Sequence, residues 1–157
     1  MRIANLVEQL MTTADCSIRP PTGQPETGMT LPTDVIHFYQ LTGGAILFEH
    51  AEYPIEIISP TGFVRANPLI IGDEGEGDIS FDWFVIAQSG EQYITIDLNP
   101  TRIGRCYDSF WDRHGLAGDC PVVATCFESL LEQLLKNEGR YWYWIEDNFN
   151  SLGDAYD

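Results

Sequence analysis

The sequence predicts an α+β domain: a mainly antiparallel sheet of about five to six strands, packed against helices from the N- and C-terminal parts of the chain. Three observations carry this. Apolar residues recur at helical spacing near both ends. Between them lie short apolar or alternating runs broken by Gly, Pro and Asn-Pro. No internal repeat or long linker divides the chain, so residues 1–157 read as one domain. That length suffices for a sizeable core.

Ile3, Leu6, Val7, Leu10 and Met11 predict a helix over residues 2–12. Pro20, Pro21, Gly23, Pro25 and Gly28 make residues 14–30 a connector. Residues 31–44 read as a second helix with both ends marked. Pro32 suits the first turn, where a missing N–H costs nothing. Thr33 or Asp34 supplies an oxygen or a negative charge to the helix start. Gly43-Gly44 suits the positive φ of a C-terminal cap. Val35, Ile36, Phe38, Tyr39 and Leu41 give this helix a broad apolar face.

A strand is expected over residues 45–49. Ile55 to Ile58, Phe63-Val64 and Leu69 to Ile71 are shorter strand candidates. A glycine-rich acidic loop, Gly72 to Asp78, follows. Residues 83–87 and 92–98 read as two strands joined by a hairpin turn at Ser89-Gly90. In the second, Tyr93, Thr95 and Asp97 face one side, and Ile94, Ile96 and Leu98 the other. Residues 103–107 form the next strand. Thr125-Cys126-Phe127-Glu128 reads as a capping box, with Thr125 accepting from the Glu128 N–H. Phe127, Leu130, Leu131, Leu134 and Leu135 are the core face of that helix, and Gly139 closes it. Residues 138–157 form an aromatic and acidic extension.

Charge is the outlier in the composition. Eight basic against 24 acidic side chains leave a net charge of −16. Residues 1–68 hold 7 acids and 3 bases, and residues 69–157 hold 17 acids and 5 bases, so the second half carries −12. Such a chain is repelled by nucleic-acid phosphates and anionic lipid, and a basic protein is the favoured macromolecular partner. Solubility alone also accounts for an acidic surface. No apolar run approaches the roughly 20 residues that span a bilayer. The N-terminal segment is amphipathic with Glu8 inside it, unlike a secretory signal, so a soluble cytoplasmic protein is expected. Cys16, Cys106, Cys120 and Cys126 show no CxxC spacing and read as reduced thiols, and no metal or other cofactor is expected.

The order of elements is informative. A Leu31-Pro32-x-Asp34 helix ends in Gly43-Gly44. The strand pair holds Ile86-Ala87-Gln88-Ser89-Gly90-Glu91-Gln92-Tyr93-Ile94-Thr95-Ile96-Asp97. A further strand carries Gly104 and Tyr107, and a helix begins Thr125-x-Phe127-Glu128-Ser129-Leu130-Leu131. In these blocks, 31–48, 83–108 and 124–136, the chain resembles the SUKH superfamily, which contains the fungal cell-wall-synthesis regulator and many bacterial toxin-immunity proteins. The likeness spans about residues 1–137. The family pattern more often has Asn-Gly where this chain has Gly43-Gly44. The resemblance implies a single α+β domain without catalytic activity that binds a cognate toxin and blocks it. Many such toxins are nucleases, which need positive charge to hold phosphate. A regulatory adaptor of the fungal kind, or a small-molecule or metal-binding protein, is the alternative.

Three groups are candidates for a partner-binding site. The first is Asp73, Glu74, Glu76, Asp78 and Asp82, five carboxylates in ten residues with no base among them. The plainer reading is a solvated loop. The EF-hand order of a calcium loop is absent. The second is the tail, with Trp142, Trp144, Glu146 and Asp147, where aromatic anchors stand beside acids; packing into the core is the competing fate. The third is Trp111, between Phe110 and Asp112, with Trp83 as its companion. Enzyme motifs are missing: there is no G-x-S-x-G, Walker or H-E-x-x-H sequence. His114 with Asp112 and Cys120 permits a Cys–His pair only on paper.

Overall fold

Seven strands run in chain order through one antiparallel sheet in the computed structural model, which describes residues 2–157. They are β1 (Ser17–Ile18), β2 (Ala45–Leu47), β3 (Ile55–Ile57), β4 (Trp83–Ser89), β5 (Gln92–Asp97), β6 (Cys106–Asp108) and β7 (Val122–Ala124). The helices are α1 (Arg2–Thr12), α2 (Thr33–Leu41), α3 (Ala66–Ile70) and α4 (Phe127–Asn137). The fold is α+β as expected, with one or two strands more than the pattern suggested. Two strands went unread, β1 inside the connector and β7 before the last helix, because two or three residues are too few for periodicity to register.

The main core lies between the sheet and α1, α2 and α4. Ile3, Leu6, Val7 and Leu10 enter it from α1, and all five predicted core residues of α4 enter it beside them. Ile94 and Ile96 on β5 point into the same core. Thr95 and Asp97 point to the other face, as the alternation requires, yet both are fully buried. Thr95 Oγ1 lies 2.7 Å from Ser109 Oγ, beyond β6, and Trp83, Tyr107 and Arg102 close over Asp97. The chain end packs beside them. A second, smaller core forms there from Trp83, Tyr107, Cys120, Val122 and Ala155. The chain end also shields the sheet edge: Val122 N–H donates to Gly153 and Ala155 N–H to Cys120, both at 2.9 Å. An unpaired edge invites foreign strands, so this cover has value beyond packing.

Several local expectations are corrected. Leu69 to Ile71 is no strand: residues 66–70 are helical, and the Asn67 carbonyl receives the N–H groups of Ile71 and Gly72. Phe63-Val64 joins no named strand, although Val85 N–H donates to Val64. The strand placed over 103–107 begins only at Cys106. Gly43-Gly44 does not cap α2, whose last residue is followed by Thr42 in extended conformation. The glycines serve close approach instead. A Cβ on Gly43 would fall 2.2 Å from the Pro20 carbonyl oxygen, and one on Gly44, at φ +110°, 2.7 Å from that of Ile57. At the end of α4, Glu138 itself takes the left-handed conformation ahead of Gly139.

The capping box is also absent. Cys126, not Thr125, precedes α4, and its sulfur accepts from Ser129 N–H at 3.4 Å. The Glu128 N–H goes to the Asp34 carboxylate of α2 at 2.9 Å.

Candidate functional site

The acidic loop is tied to the core by one buried side chain. Asn67, 1% exposed, donates through Nδ2 to the Glu74 carbonyl at 3.2 Å and to Ser80 Oγ at 3.1 Å. Its Oδ1 faces His114 Nε2 at 2.5 Å. Since Nδ2 already donates twice, Oδ1 is the acceptor and His114 carries its proton on Nε2. His114 Nδ1 is buried without a partner. A proton there would have nothing to bond, and burial lowers the His114 pKa to about 4.

The five carboxylates of the loop divide by role. Asp73, Glu74, Glu76 and Asp78 are exposed, and Asp82 is half-buried. Asp78 caps a short 3₁₀ turn, accepting from Ser80 N–H at 3.0 Å, Ser80 Oγ at 2.6 Å and Tyr156 Oη at 2.7 Å. Burial raises its pKa, but these hydrogen bonds outweigh burial and hold it below the usual carboxylate value. Asp82 lies 3.5 Å from Arg65 and accepts from Asn99 Nδ2 at 3.0 Å. Asp73 receives only the Gly75 N–H of its own loop. The outward charge of the loop is thus carried by Asp73, Glu74 and Glu76.

The other candidates lie elsewhere. Trp111 is 72% exposed, and its N–H donates to Gln92 beside the β4–β5 turn, at the far end of that hairpin from the acidic loop. Trp142 and Trp144 stack on each other at 5.5 Å within the core, against Phe110, and offer little surface to a partner. Glu146 and Asp147 are exposed; Glu146 borders a cleft of about 640 Å³ between α4 and the tail. Trp83 is fully buried. The structure therefore does not unite these residues on one surface.

Two buried carboxylates escaped sequence reasoning. Asp97 accepts from Trp83 Nε1 at 3.2 Å, Tyr107 Oη at 2.6 Å, Arg102 Nε at 2.9 Å and Asn99 N–H at 3.0 Å. Asp108 accepts from Trp144 Nε1 at 2.8 Å, Phe110 N–H at 3.1 Å and Arg113. Nothing in an alternating Thr95-x-Asp97 announces burial; a solvent face reads the same. The Arg residues at 102 and 113 are the only clue, and only after folding.

Ion pairing leaves the surface acidic. Arg2, Arg19, Arg65, Arg102, Arg113, Lys136 and Arg140 each lie within 4 Å of a carboxylate. With seven of eight cations committed, few remain to offset the outward acids. Asp15, Glu49 and His50 form an exposed group whose donor atoms lie within 4.8 Å of one another. His50 Nδ1 is already hydrogen-bonded to Asp15 at 2.6 Å, which raises its pKa. The Cys–His pairing drawn from sequence does not form: Cys120 Sγ contacts the Asp108 carbonyl, and burial pushes its thiol up to about 12. Among the described residues, no helix is long and apolar enough to cross a membrane.

One antiparallel sheet, a helical layer and an acidic exterior define an acidic α+β domain. Residues 24–133 match the SMI1 / KNR4 family (SUKH-1), and the chain belongs to that family. Over 160 aligned residues it is 46% identical to "Immunity protein YokJ" of Bacillus subtilis (strain 168), covering 100% of this chain and 97% of that protein.

Proposed function

We propose that this chain is a cytoplasmic immunity protein that neutralises a cognate toxin by stoichiometric, non-catalytic binding. The observation that carries this reading is the 46% identity to a protein named for immunity, sustained along the whole chain. The charge supports a basic toxin domain, a nuclease being the natural example. Acidic side chains complement the phosphate-binding cleft of such a toxin and steer its approach. Asp73, Glu74 and Glu76 are the outward carboxylates best held for this, because the buried Asn67 anchors their loop. Trp111, with Asp112 beside it, is a second, separate contact.

Affinity capture from the source cell, with mass spectrometry of the retained proteins, tests the reading. One basic protein with a toxin-like C-terminal domain, retained in near-equal amounts and released by salt, is the expected result. Recovery of signalling or wall-synthesis proteins in its place defeats the immunity reading and favours a regulatory adaptor.

A further inference from the structure

A groove beside the acidic loop has the chemistry of an anchor site. Phe63 and Phe84, stacked at 5.6 Å and both buried, form its floor. Val64, Pro68 and Leu69 line it above them, and its volume is about 580 Å³. Val64 and Leu69 are 43% and 51% exposed, so their apolar surface is open to a ligand. Two exposed carboxylates complete the lining: Glu26 from the connector and Glu74 from the loop.

The one cation in the groove is already committed. Arg65 donates to the Phe81 carbonyl, lies 3.5 Å from Asp82, and spreads its guanidinium over Phe81 at 4.1 Å and Phe84 at 5.1 Å. It makes no salt bridge to Glu26 or Glu74. The position of Glu74 is built in. A Cβ on Gly75, which sits at φ +70°, would fall 2.2 Å from Asn67 Nδ2, so only glycine lets the loop close on its anchor.

We propose that this groove receives a lysine or arginine side chain of the toxin. The aliphatic stem lies against Val64, Pro68 and Leu69, and the charged head meets Glu26 and Glu74. An apolar wall with acids at its margin suits an amphipathic cationic side chain better than a purely aliphatic one. Arginine is also among the residues enriched at binding hot spots. The inference rests on the toxin-binding reading and says where its central contact is made.

The test titrates the isotope-labelled full chain with acetyl-Ala-Arg-Ala-amide and, in parallel, with its uncharged norleucine counterpart, followed by amide NMR shifts. Saturable shifts at Val64, Leu69 and Glu74 are expected with the arginine peptide alone. They should vanish in E26Q/E74Q and in L69S, and persist in E8Q on the exposed face of α1. Shifts scattered over all exposed acids, equal binding of both peptides, or no saturable binding each overturn the proposal. Neutralisation of the captured toxin by the same variants separates the two readings. If the groove variants protect as well as the parent chain, the groove assignment falls and the immunity reading stands. If the parent chain neutralises no toxin while still binding the arginine peptide, the immunity reading falls, and with it the toxin as occupant.

Discussion

The Asp34 carboxylate of α2 accepts the Glu128 N–H of α4 at 2.9 Å, so one helix caps another across 94 residues of chain. Its second oxygen accepts the Val35 N–H at the start of its own helix, also at 2.9 Å. One carboxylate thus meets the positive ends of two helices. Asp34→Ala should cost about 1–2 kcal/mol, the upper part of the range for a lost N-cap, since two helix starts lose an acceptor. Thr125→Ala should stay within about 0.5 kcal/mol, since Thr125 caps nothing. Urea unfolding of the two variants decides between this cross-helix cap and a local capping box.

How legible the fold was depended on the range of the interactions. Repeating apolar residues gave the helix over 2–12 its bounds, and gave α4 all five core residues. The hairpin of β4 and β5 was equally plain. What could not be read locally was decided by distant residues. Leu69 to Ile71 has strand composition, but the Asn67 carbonyl closes it as a helix. Thr125 and Glu128 have capping-box spacing, but Asp34 arrives first. Of the candidate site, the charge of the acidic loop was visible in the sequence. Its anchor was not, because Asn67 and His114 stand 47 positions apart and meet only once the chain folds back.

Asp97 sits where removal should hurt most. Asp97→Ala leaves the Trp83 indole and the Tyr107 hydroxyl without their acceptor and Arg102 without its partner. Breaking such a buried pair costs roughly 3–5 kcal/mol. Equilibrium unfolding should show a loss of that order, with Trp83 fluorescence altered in the folded state. A loss under about 1 kcal/mol would mean that water takes the place of the carboxylate.

His114 makes stability depend on pH in a defined window. Its folded pKa is about 4, depressed from 6.5 by burial. Below about 6.5 the unfolded chain gains a proton that the folded chain refuses. Stability should therefore fall as pH drops from 6.5 towards 4 and level off below, by roughly 3 kcal/mol at most. His114→Gln retains a donor for Asn67 but does not titrate. The difference in unfolding free energy between the two proteins, measured at pH 7.5, 5.5 and 4.5, isolates this one group. A constant difference would show that His114 keeps its ordinary pKa.

The acidic loop can be stripped of charge without loosening the fold, provided Asp78 is spared. Asp73 bonds only within its loop, Glu74 is held through its main chain, and the Glu76 side chain is exposed. The triple variant Asp73→Asn, Glu74→Gln, Glu76→Gln should keep its stability within about 0.5 kcal/mol. Adding Asp78→Asn should cost about 1 kcal/mol more, because that carboxylate caps a turn and holds Tyr156. Association with the captured toxin should slow by roughly ten-fold or more at low salt in the triple variant, since steering depends on the loop's field. At salt high enough to shrink the screening length to about 3 Å, parent and variant should associate at nearly the same rate. Stopped-flow mixing across a salt series measures both. Equal rates at low salt would remove the loop from the encounter and shift attention to Trp111 and the far end of the hairpin.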